Sequence, residues 1–128
     1  KKIKSLILAR KKIFKYYDKK LNKFSFIKLL PKNNWSTNSY WLYTILIENL
    51  GLKKRQKLIN NLLKRGIETR PAFYPFSAMK IYNKYCSGNY KFSEKIAFNS
   101  ISLPSTNINE TDQDLIIDYI IEEIKKLS

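Results

Sequence analysis

One uncharged run, SYWLYTILI at residues 39–47, limits the possible folds more than any other stretch of this chain. It is β-branched and aromatic, and its apolar residues do not alternate cleanly with polar ones. Such a run suits a strand inside a sheet better than a strand with one wet face. Residues 49–52 read as a turn. Leu58, Ile59, Leu62 and Leu63 then recur at helical spacing within 53–65, and Gly66 stands where a helix ends in a left-handed residue. Residues 67–73 read as a second strand. The sequence therefore predicts strand–helix–strand as the central unit.

On either side the pattern is helical. Ile3, Leu6, Ile7, Phe14, Tyr17 and Leu21 mark one apolar face of an amphipathic helix over 1–22. This helix has no cap and nothing ahead of it, so it reads as cut from a longer helix. Residues 22–34 hold at most a short strand, around Phe24, Phe26, Ile27 and Leu29, before a loop at Pro31. After a loop at 82–90, Ser93 is placed to cap a short helix through Ile96 and Ala97, and 101–103 is a brief extended piece ended by Pro104. Thr111 and Asp114 resemble a capping box for a last helix that buries Leu115, Ile116, Tyr119, Ile120 and Ile124. The order α-β-α-β-α-(β)-α predicts one α/β (α+β) domain over 1–128, a small sheet with helices packed against it.

Composition excludes several functions. The net charge is +15, from 25 basic against 10 acidic residues, which would favour nucleic acid or anionic lipid. Yet only Arg10, Arg55, Arg65 and Arg70 are arginine, and the lysines are scattered over helical faces without interleaved stacking aromatics. Abundant Lys, Asn, Ile and Tyr with scarce Ala and Gly is also what an AT-rich coding sequence produces. A nucleic-acid-binding or non-catalytic interaction domain is thus the alternative reading. No apolar run approaches the ~20 residues that cross a bilayer, and the run 5–9 is too short for a signal peptide. Cys86 is the only cysteine, so no internal disulfide forms and a reducing, cytoplasmic setting is expected. The chain has no histidine, which excludes a Ser-His or Cys-His pair and any His-containing metal site within it. Gly51, Gly66 and Gly88 lie too far apart for a phosphate loop.

Candidate binding residues gather in 66–82, GIETRPAFYPFSAMKIY. Two prolines and several aromatics in so short a span suit a fixed irregular surface. Arg70 is placed to grip a carboxylate or phosphate bidentately; an ion pair with an acid such as Glu68 fits it equally well. Tyr74 and Ser77 offer hydroxyls to a ligand or to the fold. Trp35 and Trp41 are expected to pack. Lys53, Lys54 and Arg55 stand at a helix N-terminus, a mildly unfavourable place for cations. Asp112, Asp114 and Asp118 fit capping and dipole compensation at the last helix.

WSTNSYWLYTILIE, KKRQKLINNLLKRGIETRPAFYPFSAMKIY, SEKIAFNSISLPS and TDQDLIIDYI, in that order, resemble the C-terminal domain of the DegT/DnrJ/StrS aminotransferases. The Arg-Pro-x-Phe-Tyr-Pro and Trp-x-x-Asn-x-Tyr-Trp segments look most like perosamine synthase-type members. The resemblance covers nearly the whole chain. It implies the small domain of a fold-type-I enzyme, a mainly antiparallel sheet flanked by helices, with residues 1–22 as the helix linking it to a large domain. It implies pyridoxal 5′-phosphate as cofactor, a nucleotide-linked 4-keto-6-deoxy sugar and an amino-acid donor (typically glutamate) as substrates, and a homodimer. The Schiff-base lysine and most cofactor contacts lie in the large domain, so no catalytic residue is assigned here. Matching position by position, Arg70, Tyr74 and Ser77 are the expected substrate-binding residues. Many members have histidine at Ser77 and leucine at Phe76.

Overall fold

A computed structural model describes residues 2–127, so Lys1, at the start of the expected first helix, lies outside the described residues. The elements are α1 (Lys2–Leu21), β1 (Ile27–Lys28), β2 (Tyr43–Ile47), α2 (Gly51–Lys64), β3 (Arg70–Pro71), α3 (Lys91–Asn99), β4 (Ser100–Leu103) and α4 (Glu110–Leu127). Short 3-10 turns at Phe76–Ala78 and Asn83–Tyr85 interrupt the chain between β3 and α3. The architecture is the expected one, a small antiparallel sheet with helices against it.

The strand order β1-β2-β4-β3 alters the expected central unit. β2 and β3 both pair antiparallel with β4, which lies between them. The residues read as a brief extended piece are thus a central strand, buried along its whole length. Ser100 and Ser102 interrupt its apolar pattern, but burial costs Ser102 little because its hydroxyl and that of Thr44 share a 2.9 Å hydrogen bond. β2 is shorter than expected. Tyr40 has a left-handed φ of 55°, and Asn38 Oδ1 accepts the Tyr40 N–H at 2.6 Å, so the chain turns before the strand begins. The second strand shrinks from 67–73 to two exposed residues, because Pro71 has no N–H for the ladder and confines β3 to an edge.

Tyr43 pairs with Leu103, Ile45 with Ile101 and Ile27 with Ile47, so these side chains share one buried sheet face. α1 covers it: Phe14 meets the Tyr43 ring edge-on at 5.0 Å, and Tyr17 stacks on Tyr43 at 4.7 Å. Burial pushes both phenols well above their ordinary range, with Asp112 reinforcing the effect at Tyr17 and Asp18 at Tyr43. Gln113 of α4, itself buried, donates to the carbonyl of Ile13 at 2.9 Å and ties α4 to α1.

Helix details correct several expectations. On α1 the buried stripe starts only at Ile13; Ile3, Leu6 and Ile7, expected to face inward, are exposed. α2 starts two residues early, where Asn99 of α3 accepts the Gly51 N–H at 2.8 Å. It ends as expected at Gly66, φ 77°, whose N–H reaches the Leu63 carbonyl while Ile67 N–H reaches Leu62, a Schellman closure. Leu63 is exposed, and Arg55 takes an inward position instead. Ser93 caps nothing; α3 begins at Lys91, whose N–H is accepted by Asn89 Oδ1. The capping box of α4 is Asn109 with Asp112, not Thr111 with Asp114: Asn109 Oδ1 accepts from Asp112 N–H, and Asp112 Oδ2 from Asn109 N–H. Leu115 faces solvent, and Ile117 and Ile121 are buried beside Ile116, Ile120 and Ile124. Among the described residues, no helix is long and apolar enough to cross a membrane.

Candidate functional site

The segment from β3 to α3 is a lip attached to the sheet by its first residues. Arg70 pairs with Ser102 across the β3–β4 ladder, and the Ala72 N–H reaches the Ser100 carbonyl at 3.2 Å. Beyond that the ladder stops, Pro75 enters a 3-10 turn, and the course is fixed by short-range turn hydrogen bonds such as Ala78 N–H to the Pro75 carbonyl and Tyr82 N–H to the Met79 carbonyl, together with side-chain contacts.

Arg70 Nη2 lies 2.6 Å from Glu68 Oε1, with both side chains about two-thirds exposed or more. A pair in that much water contributes roughly 0–1 kcal/mol, so the guanidinium can be recruited by a stronger oxyanion. It lines a groove of about 480 Å³ with Arg10, Ser102, Ser105 and Thr106. Arg10 is anchored there, donating to the Trp41 carbonyl at 2.5 Å and to Ser105 Oγ at 3.3 Å.

Tyr74 packs its ring edge-on against Phe98 of α3 at 5.7 Å, and the Arg55 guanidinium lies 5.5 Å from the ring centroid. Ser77 donates to Glu94 Oε1 at 3.1 Å and opens onto a second hollow, of about 420 Å³, with Cys86, Asn89, Tyr90 and Lys91. The three expected residues therefore follow one another along the lip but do not ring a single cavity. Trp35 and Trp41 are exposed, at 85% and 63%, against the expectation that they pack, because the chain has not yet entered the sheet there. Trp41 has Phe73 of the lip beside it at 6.0 Å. Much of the lip is likewise exposed and aromatic: Phe73, Phe76 and Tyr85 stand out.

Sequence reasoning missed three residues near the lip: Arg10, Arg55 and Glu94. Two carried a readable signal. Arg55 shares one helical stripe with Leu58, Ile59 and Leu62, and Arg10 shares one with Ile13, Phe14 and Tyr17, so each points inward by the same spacing. Glu94 has no local signal, because its partner lies in another element.

A larger hollow, about 520 Å³, opens between α1 and the loop through Pro31, beside Phe14, Asp18 and Tyr43; none of the expected site residues lines it. The best-organised charges are also away from the lip, where Arg65 binds Glu122 and Glu123 and Lys126 closes the network.

The sequence model of the DegT/DnrJ/EryC1/StrS aminotransferase family matches residues 1–124. The chain belongs to that family. GDP-perosamine synthase of Escherichia coli O157:H7 is 28% identical over 120 residues, covering 94% of this chain and 31% of the relative. GDP-perosamine synthase of Caulobacter vibrioides is 26% identical over 113 residues, covering 87% and 30%. Among solved structures, Spr1654 of Streptococcus pneumoniae in its PLP form superposes with a TM-score of 0.81 at 24% identity, covering 97% of this chain and 32% of that one. The family chain described here thus spans about a third of the length of the relatives it matches.

A pyridoxal phosphate requires an imine-forming lysine, an acid at its ring nitrogen and donors around its phosphate. The described residues of this family member do not assemble that set. No lysine lines the groove beside Arg70, and those lining the other hollows, Lys15, Lys19, Lys32, Lys91, Lys125 and Lys126, are exposed.

Proposed function

We propose that this chain is the C-terminal, substrate-facing domain of a PLP-dependent sugar aminotransferase acting on a nucleotide-linked 4-keto-6-deoxy sugar of the perosamine type, with glutamate as amino donor. One observation carries the reading: the family match runs in a single order from residue 1 to 124, with GDP-perosamine synthases as relatives over most of that length. In this reading α1 joins the domain to a large domain that supplies the Schiff-base lysine and holds the cofactor, and the full-length enzyme is a cytoplasmic homodimer that makes sugars for surface polysaccharide.

The residues of this chain bind and orient. Arg70 exchanges its weak pair with Glu68 for an oxyanion of the nucleotide sugar, a contact that a planar guanidinium can make with two parallel hydrogen bonds. Tyr74 and Ser77 set polar groups along the lip, with Ser77 oriented by Glu94. Serine at 77, where many members carry histidine, offers a small neutral hydroxyl in place of an imidazole and leaves more room beside the sugar.

Steady-state kinetics of the full-length protein with a nucleotide-linked keto sugar and glutamate test this. Arg70→Ala is expected to raise KM for the sugar nucleotide about tenfold with little change in KM for glutamate, the loss of one charge-assisted contact. Unchanged KM and kcat would make Arg70 a surface ion-pair residue and remove the lip from the substrate site.

A further inference from the structure

Arg55 is the most deeply buried charge in the described structure, at 1% exposure. A buried guanidinium is costly unless its charge is answered, yet none of its described partners is an acid. It donates from Nη1 to the carbonyl of Ala97 and faces the ring of Tyr74, while its Nε is buried with no hydrogen-bond partner among the described residues. Ala97 stands in the last turn of α3, where carbonyls lack helical partners and the helix dipole is negative, so a cation is favoured there. The tyrosine face supplies the second electron-rich surface.

These contacts connect Arg55 to the lip. The lip is fastened to α3 and its exit by the Ala72–Ser100 hydrogen bond, the Tyr74–Phe98 contact and the Ser77–Glu94 hydrogen bond. α2 holds α3 through Gly51–Asn99, which does not reach the lip, and through Arg55, which touches α3 and Tyr74 together. Its own position is settled by the core, since Leu58, Ile59 and Leu62 on the same stripe are buried.

We infer that Arg55 is a positioning residue for substrate recognition: it fixes the Tyr74 ring against the end of α3 and so sets the course of the lip through Pro75 to Ser77. The inference rests on the reading that this lip meets the nucleotide sugar. It goes beyond that reading by assigning specificity to a side chain that touches no substrate. The guanidinium is the required group, because only a planar cation can donate to Ala97 and present a flat face to the ring.

The test compares Arg55→Met, Arg55→Lys, Tyr74→Leu and the Arg55→Met/Tyr74→Leu double variant in the full-length protein. Arg55→Met is expected to raise KM for the nucleotide sugar about tenfold with kcat within about twofold, and Arg55→Lys to recover part of that loss. The double variant should be no worse than the worse single one, since both remove one interaction. Hydrogen exchange gives an arm that needs no turnover: amides of residues 72–78 should exchange faster in Arg55→Met and Tyr74→Leu, while β2 and β4 keep wild-type rates. Additive KM effects, or wild-type exchange in the lip of Tyr74→Leu and Arg55→Lys, would overturn the inference. If Arg55→Met does not fold, those two variants decide it alone. Were the wild type to turn over no sugar nucleotide, the functional reading would fail while the exchange arm still decided whether Arg55 holds the lip.

Discussion

The centre of the sheet and the lip are built from similar residues and reach opposite outcomes. β2 and β4 bury Tyr43, Ile45, Ile101 and Leu103 in a paired register, whereas Phe73, Phe76, Ile81 and Tyr85 in the lip stay largely exposed. The difference is the backbone. In the sheet each strand satisfies its N–H and C=O groups across the ladder, which aligns the side chains into one buried face. In the lip the ladder ends just past Pro71, so order comes from short-range turn hydrogen bonds and a few contacts with α3. Apolar content alone therefore does not make a core. A surface built on few attachments is also one that a ligand can reshape at low cost.

The largest separation between the two regions should come from truncating a core residue. Ile101 is fully buried in β4, and Ile101→Ala is expected to lower unfolding free energy by about 2–5 kcal/mol in chemical denaturation. A loss below ~1 kcal/mol would mean the sheet is as loosely held as the lip.

Gly66 ends α2 a few residues ahead of the lip, at a φ of 77° with open space around a would-be side chain. Gly66→Ala meets no clash, so only the left-handed backbone penalty remains, about 1–2 kcal/mol by the same measurement. A neutral result would show that the helix end relaxes freely and does not fix where the lip begins.

A smaller effect lies in acid. Arg65 first, and then Lys126, hold the Glu122 carboxyl at about 2, below its ordinary 4.5. Since the folded state holds this proton less tightly than the unfolded chain, the contribution is complete above pH 4.5 and disappears as pH falls towards 2. Melting temperature should therefore fall over that window, and Glu122→Gln should flatten part of the fall. The pair is solvent-exposed, so the change should be modest and weaken with salt. An unaltered profile would remove this network from the stability of the α2–α4 face.

The parts of this division that were legible in the sequence are the local ones. The β2 run and the Gly66 stop each depend on a residue's own backbone preference or on its near neighbours, whereas the strand read over 67–73 shrinks to the edge pair 70–71 because Pro71 lacks an N–H. β4 was under-read because Ser100 and Ser102 look like a break in an apolar strand, and only the cross-strand partner Thr44 makes a buried serine there inexpensive. At the site, Arg70, Tyr74 and Ser77 stand in one readable segment. What touches Tyr74 and Ser77, Arg55 and Glu94, comes from two helices that the fold alone brings to the lip. Arg55 reads with Lys53 and Lys54 as one of three cations at a helix N-terminus, although its spacing to Leu58 and Leu62 points inward.

Hydrogen exchange of the full-length protein with and without nucleotide-linked keto sugar tests the central claim most directly. If the lip is the mobile, substrate-facing part of a rigid domain, amides of 72–90 exchange faster than those of β2 and β4 in the free protein and slow when the sugar nucleotide is added, while the sheet does not change. Equal protection of lip and sheet in the free protein, or a lip indifferent to the sugar nucleotide, would contradict it.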